Sequence, residues 1–404
     1  MSFLSDPINW IFTGLMSTFQ GWGLNPTFAT VIADLLGVIV LITLLMVLDI
    51  MLVWVERKVV ARFQGRLGPN RVGPIGLFQP FPDIIKLVIK EDITPNGADR
   101  FVYNLAPILS LGSVLFLWAM VPIASKIYGT DLNVALLYLV AAGALGTLSI
   151  IMAGWSSNNK YALLGAFRQV AAMISFEIPM VVALLIPTVL SGSLSMKVIS
   201  DVQGSGRWFF FLSPLGAVLF LICAIAELGR SPFDLNEGES EIVSGYHIEY
   251  TGMKFGLFYA GELLHAFTFG GFLSILFFGG WQGPGADTYP LLGAFYFVVK
   301  AMIGYWLIMW VKYTVPRIRI DHMLAFNWKF LTPLSFAMLI VTAVMHSLFQ
   351  ELMKTNYWFY ALVMLASNLL VGWVTLEIMR ASTRRQRQTV EAPSDLLSKS
   401  WPQH

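Results

Sequence analysis

Residues 30–55 read TVIADLLGVIVLITLLMVLDIMLVWV, with charge only at Asp34 and Asp49, and then three charges arrive together as Glu56-Arg57-Lys58. A hydrocarbon core is crossed by about 20 apolar residues in a helix. The stretch therefore reads as a transmembrane helix that ends at a charged boundary. Working outward, similar stretches lie near 104–126, 132–154, 161–191, 211–228, 255–280, 290–314, 332–349 and 356–379. The fourth, fifth and eighth of these nine are short or interrupted by a charge or Pro. The segment Asn9–Gln20 mixes Trp10, Ile11, Phe12 and Leu15 with polar positions, and reads as an interfacial helix rather than a span. With no Lys or Arg and no small-residue cleavage pattern, the first twenty residues are not a signal peptide.

Composition agrees. Of 404 residues, 56% are hydrophobic and 12% charged, about half the charge of a soluble domain. A soluble globular enzyme and a disordered chain are both excluded, and a net charge of +2 makes no case for nucleic acid. One cysteine, Cys223, rules out a disulfide framework, a cysteine-ligated iron–sulfur cluster and a Cys-rich zinc site. The five histidines show no metal spacing, so no metal site is expected. Placing the amino terminus outside puts 21 of the 26 basic residues on the inside, against Lys126, Lys197, Arg207 and Lys354 outside and Lys300 within a span. The tail Arg384-Arg385-Gln386-Arg387 then also lies inside.

Polar residues concentrate in three inside segments, 56–103, 227–254 and 315–330. In the first, Arg66-Leu67-Gly68-Pro69-Asn70-Arg71-Val72-Gly73-Pro74 holds Arg66 and Arg71 between Gly-Pro turns. It has no Gly-Lys-Ser/Thr and is no P-loop. A positive-inside anchor accounts for it equally well. Gln79, Asp83, Lys86 and Lys90 then form a polar stripe on an apolar helix, which either floats at the interface or faces an enclosed polar cavity.

These residues carry a resemblance. The first loop, through Gln79-Pro80, Asp83, Lys86 and Lys90-Glu91-Asp92, resembles that of the quinone-site membrane subunit, the H subunit, of NADH:quinone oxidoreductase, respiratory complex I. Three further blocks agree in order. They are Gly154–Glu177, with Arg168; Ala226–Glu262, with Arg230, Pro232-Phe233-Asp234, Glu237, Glu239, Glu241 and Gly245-Tyr246-His247-Ile248-Glu249-Tyr250; and Pro316-Arg317-Ile318-Arg319-Ile320-Asp321 with Trp328-Lys329. The match covers about residues 25–350. The sequence departs from the family pattern at Asp49, His322, Ala325-Phe326-Asn327 and residues 351–404.

The resemblance implies an all-α polytopic membrane protein of eight family spans, here with an extra carboxy-terminal ninth. Residues 1–350 form the family domain and 351–404 the extra helix and basic tail. It implies a quinone chamber whose mouth lies in this subunit and whose far end lies in a peripheral-arm subunit beside the terminal iron–sulfur cluster. Quinone is then substrate, and nothing is bound covalently. FMN and iron–sulfur clusters belong to partner subunits. The partners are peripheral-arm subunits, other membrane subunits of the pump and lipid, in a bacterial inner membrane. Chamber or docking roles fall to Glu56, Arg57, Arg66, Arg71, Asp83, Lys86, Glu91, Arg230, Phe233, Tyr246, Arg317, Arg319 and Asp321.

Proton coupling would fall to Glu177, Glu227, Asp234, Glu237, Glu239, Glu241, Glu249 and Glu262. Ser231-Pro232-Phe233-Asp234 has the shape of a capping box. A helix beginning there would put Asp234, Glu237 and Glu241 on one face, where like charges repel, and turn Glu239 away. A capped, solvated helix is the alternative. Glu262 and His265, three apart, are placed to share a proton, and Pro179 frees a carbonyl beside Glu177. An interhelical packing bond is the competing role for each buried acid. Two other functions compete. A membrane anchor of an energy-converting hydrogenase would not need the Arg66–Pro74 run. A free-standing ion transporter would not need such dense inside loops.

Overall fold

The computed structural model describes residues 6–23, 25–234 and 243–391, except for the side chains of 205, 352–355 and 382–391. Among them no strand forms, and the chain is a succession of helices. The first, α1 (Pro7–Gly21), starts where Asp6 accepts from the Asn9 backbone at 3.3 Å, with Pro7 at the first position. It buries Phe19 against Ala29 and Ala33 of α2 (Pro26–Phe63) and leaves Trp10 and Ile11 exposed.

After the 3₁₀ turn Pro74–Gly76 come α3 (Pro80–Ile89), α4 (Arg100–Trp118), α5 (Ala135–Ser156) and α6 (Lys160–Ser191). The short α7 (Met196–Val202) and α8 (Phe209–Leu212) lead to α9 (Pro214–Glu227). Beyond the inner loop lie α10 (Gly252–Phe277), α11 (Pro290–Thr314), α12 (Ile320–Phe326), α13 (Thr332–Thr355) and α14 (Tyr357–Glu391).

Among the described residues, eight helical stretches are long and apolar enough to cross a membrane: α2, α4, α5, α6, α10, α11, the continuous Ile320–Glu351, and α14 as far as Ala381. The stretch expected at 211–228 falls short. Its α9 has 14 residues, about 21 Å at 1.5 Å each, against a core of about 30 Å. Pro214 lacks the N–H that would continue α8 into α9. The break is covered by Asn368 of α14, which donates to Leu212 O at 3.1 Å and accepts from the Ser213 hydroxyl at 3.1 Å. The extra carboxy-terminal helix, α14, thus packs against its own chain, where His346 and the Tyr360 hydroxyl also meet at 2.8 Å.

Helix packing uses small residues, as lipid-embedded interfaces do. A Cβ on Gly270 would stand 2.5 Å from Ala301 O, so α10 and α11 cross backbone to backbone. Prolines inside helices free the carbonyl four residues earlier, and two such carbonyls find distant donors. Pro107 frees Tyr103 O, which the Tyr250 hydroxyl reaches at 3.2 Å. Pro179 frees Ser175 O, which Asn327 Nδ2 reaches at 2.6 Å. Asn327 opens a π-helical turn, Asn327–Leu331, next to Pro333, where the Thr332 N–H bonds back to Asn327 O.

The capping-box expectation at Ser231 is not met over the described residues. Residues 231–233 form a turn, with the Phe233 N–H on Arg230 O at 2.8 Å. The Ser231 hydroxyl is spent on Val315 O at 3.0 Å, and Pro232 O accepts from the Ile318 N–H at 3.0 Å. A tertiary contact has taken the hydroxyl that a cap would need. Glu237, Glu239 and Glu241 lie outside the described residues.

Candidate functional site

Near the inner end of α2, Glu56 is 4% exposed, and its Oε1 collects three donors. These are the Tyr313 hydroxyl at 2.6 Å, Lys312 Nζ at 3.0 Å and Arg230 Nη1 at 3.3 Å. Arg230 is itself buried, and its Nε lies 3.1 Å from Glu262 Oε1. Gly229, with φ +59°, takes the left-handed conformation that turns the chain from α9 into this position. Two carboxylates and two cations from α2, the 228–234 loop, α10 and α11 therefore balance inside the protein. Buried charges persist only when paired in this way.

One residue on, a 100° step around the helix, Arg57 points elsewhere and pairs with Asp83 of α3. Lys86 lies 3.8 Å from the same Asp83, and Lys254 of α10 reaches Asp92 at 2.8 Å. The polar stripe of α3 thus turns partly inward, while Lys86 stays exposed.

Farther into the helices, Glu177 of α6, Glu227 of α9 and His265 of α10 line one cavity with Met180, Phe269 and Phe272. Glu227 is 6% exposed, and its Oε2 has no hydrogen-bond partner among the described residues. The expected sharing of a proton between Glu262 and His265 is not seen. Glu262 turns to Arg230, while His265 stacks on the Phe269 ring at 4.7 Å. The Arg230 guanidinium, always a full cation, outcompetes the imidazole for the carboxylate.

The segment 245–250 lies on α6 because Gly165 meets Gly245; a Cβ there would be 2.7 Å from Gly245 Cα. Tyr103 and Tyr250 stack at 4.2 Å, Tyr246 and Tyr250 both pack edge-on to Phe258, and Asn159 Nδ2 donates to Glu249 Oε1 at 2.7 Å. Phe233 packs on Phe176 at 5.1 Å. Burial pushes the His247 imidazole below its ordinary value, against the pull of Glu262 and Asp234.

The structure therefore brings Glu56, Arg230 and Glu262 into one cluster and Glu177 with Glu227 into an adjoining cavity. Arg57 and Asp83 form a separate pair, and Glu249 and Tyr246 belong to the aromatic group. Asp234 is half-buried, whereas Arg66, Arg71, Glu91, Arg317, Arg319 and Asp321 are exposed. Lys312 and Tyr313 were not singled out from sequence. The one signal for Lys312 was a cation at the inner edge of a span. Among the described residues no group of three or more His, Cys, Asp or Glu is arranged to hold a metal.

Long apolar helices enclosing a neutralised ionic cluster beneath charged loops define a polytopic membrane protein with a polar interior at one end. Residues 36–343 match the family described as NADH dehydrogenase. The NADH-quinone oxidoreductase H subunit of Dehalococcoides mccartyi (strain CBDB1) is 46% identical over 309 residues, covering 76% of this chain and 86% of that one. The H subunits of Carboxydothermus hydrogenoformans (41% over 338 residues, 82% and 95% covered) and Brevibacillus brevis (39% over 324 residues, 80% and 96% covered) are similar. The chain belongs to the H-subunit family of NADH-quinone oxidoreductase. The matched region ends before α14 begins.

Proposed function

We propose that this chain is the membrane subunit of a proton-pumping NADH:quinone oxidoreductase that forms the quinone entry and couples quinone reduction to proton movement. It sits in a bacterial inner membrane with its polar loops and basic tail in the cytoplasm. Supporting this is the Glu56–Arg230–Glu262 cluster, which joins the inner loops to helices carrying further buried carboxylates. Electrons come from FMN and iron–sulfur clusters in peripheral-arm partners. Two-electron reduction of a quinone takes up two protons, so charge changes beside the inner loops.

Arg230 touches both Glu56 and Glu262. A charge change that draws its guanidinium toward one carboxylate weakens its hold on the other and alters that group's affinity for a proton. Glu262, Glu227 and Glu177 then carry protons toward the neighbouring pump subunits, with Asp234, Glu237, Glu239, Glu241 and Glu249 supplying them from the loop. Arg66, Arg71, Arg317, Arg319 and Asp321 dock the peripheral arm. Arg57, Asp83, Lys86, Glu91, Phe233 and Tyr246 shape the chamber mouth.

The test is to neutralise Glu177, Glu237 and Glu262 singly to Gln in the assembled complex. Quinone reductase activity and proton pumping should fall together. Undiminished quinone reductase activity and proton pumping in all three variants refutes the relay.

A further inference from the structure

One buried acid has no part in this scheme. Asp49 lies on α2 two turns before Glu56, inside the apolar run, and is 5% exposed. A carboxyl that serves helix packing shows a partner across the interface, yet Asp49 Oδ1 has none among the described residues. Seven residues bring a helix almost back to the same face, so Asp49 and Glu56 look the same way, about 10 Å apart along the axis.

At Glu56 that face meets Lys312 and Tyr313 of α11. On α11 Tyr305 is fully buried, its hydroxyl also lacks a hydrogen-bond partner among the described residues, and it lies within electrostatic reach of both Asp49 and Glu56. The second oxygen of Glu56, Oε2, is buried and unpartnered as well, while Oε1 holds its three donors. Buried polar atoms without partners are rare. Three such oxygens lie between the ionic cluster and the apolar depth of α2, and ionisable groups at that depth mark polar routes by default.

We infer that Asp49 is a proton-relay residue, taking a proton from the Glu56 side of the cluster and holding it one step deeper in the membrane, with the Tyr305 hydroxyl between them. The inference rests on the proton-coupling reading of the cluster. Its step forms one O–H bond on the Asp49 carboxylate and breaks one on the donor. Tyr305 accepts one proton as it releases another, and no oxidant or reductant is consumed.

The experiment compares Asp49→Asn, Asp49→Glu and Tyr305→Phe in the assembled complex, with reduction of an artificial acceptor at the flavin reporting intact assembly. Redox-induced infrared difference spectra should lose one carboxyl band in Asp49→Asn and show it shifted in Asp49→Glu. Quinone-dependent turnover should fall about a hundredfold or more in Asp49→Asn and be largely restored by Asp49→Glu. Unchanged turnover with an unchanged carboxyl spectrum in Asp49→Asn overturns the inference. Should that variant fail to assemble, unchanged turnover in Tyr305→Phe overturns it instead. Glu177→Gln and Glu262→Gln run alongside as controls. If they pump normally, the coupling reading itself fails; if they lose pumping while Asp49→Asn does not, only the role of Asp49 fails.

Discussion

Replacing Arg230 with Gln removes a cation that touches both Glu56 and Glu262. Glu56 keeps Lys312 at 3.0 Å and Tyr313 at 2.6 Å, whereas Glu262 loses its ion-pair partner. Breaking a buried pair from one side costs about 3–5 kcal/mol. The Glu262 side chain is 28% exposed, so water recovers part of this, and the expected loss is about 3 kcal/mol, roughly two decades in an unfolding equilibrium. Glu56→Gln should cost less, about 1–2 kcal/mol, because Arg230 retains Glu262 and Lys312 is partly hydrated. The double variant then yields a coupling energy of about 1–2 kcal/mol. Denaturant-dependent pulse proteolysis of the detergent-purified complex, with this subunit followed by immunoblot, reads all three. A loss under about 1 kcal/mol in Arg230→Gln, or a coupling indistinguishable from zero, refutes the idea that this ionic cluster is a unit.

Four other outcomes are expected. Arg71→Ala should impair assembly or quinone reduction while leaving reduction of an artificial acceptor at the flavin nearly intact; equal loss of both in assembled enzyme contradicts the docking role. Asn327→Ala strands Ser175 O and should cost about 1–3 kcal/mol, and adding Pro179→Ala, which restores the local donor, should recover much of it in the same unfolding assay. Truncation after Gln350 should leave turnover of assembled enzyme close to normal yet lower detergent stability, and Asn368→Leu alone should reproduce about 1–3 kcal/mol of that loss by baring Leu212 O and the Ser213 hydroxyl. Because His247 is held below its ordinary 6.5 by burial, the unfolded chain binds its proton first as pH falls. Stability should therefore drop from about pH 6.5 downward until the native value is passed, and His247→Gln should flatten that slope.

The spans were legible because a bilayer imposes one simple demand, length of apolar helix, and α2 or α10 meets it in plain view. The fifth stretch reads from the sequence as short or interrupted, and Pro214 is where its ladder breaks, leaving 14 helical residues. Pro179 signalled a free carbonyl at Ser175, but not that Asn327, 152 residues after Ser175, would take it. Glu56 was legible as a charge at a helix end. Its partners were not, since Arg230 and Lys312 lie 174 and 256 residues away and no local pattern encodes such pairings. Ser231 looked like a cap from its neighbours alone, and the contact with Val315 decided otherwise. Lys300, a charge inside a span, proved to be satisfied by the carbonyls of Phe278, Gly280 and Gln282 at 2.8–2.9 Å.

The two proline-freed carbonyls set a timetable for biogenesis. Tyr103 O is released when α4 forms but waits for Tyr250, 147 residues downstream, and Ser175 O waits 152 residues for Asn327. At about 5–20 residues per second of synthesis, each helix resides in the translocon or the bilayer for roughly 7–30 s with an unanswered acceptor. Such a group in hydrocarbon carries a free-energy penalty until its donor emerges. Ribosome-stalled chains ending before residue 327 should therefore be the forms that insertion chaperones retain and membrane proteases clear. Stalls placed far enough beyond it for Asn327 to clear the ribosome and reach Ser175 O should escape both.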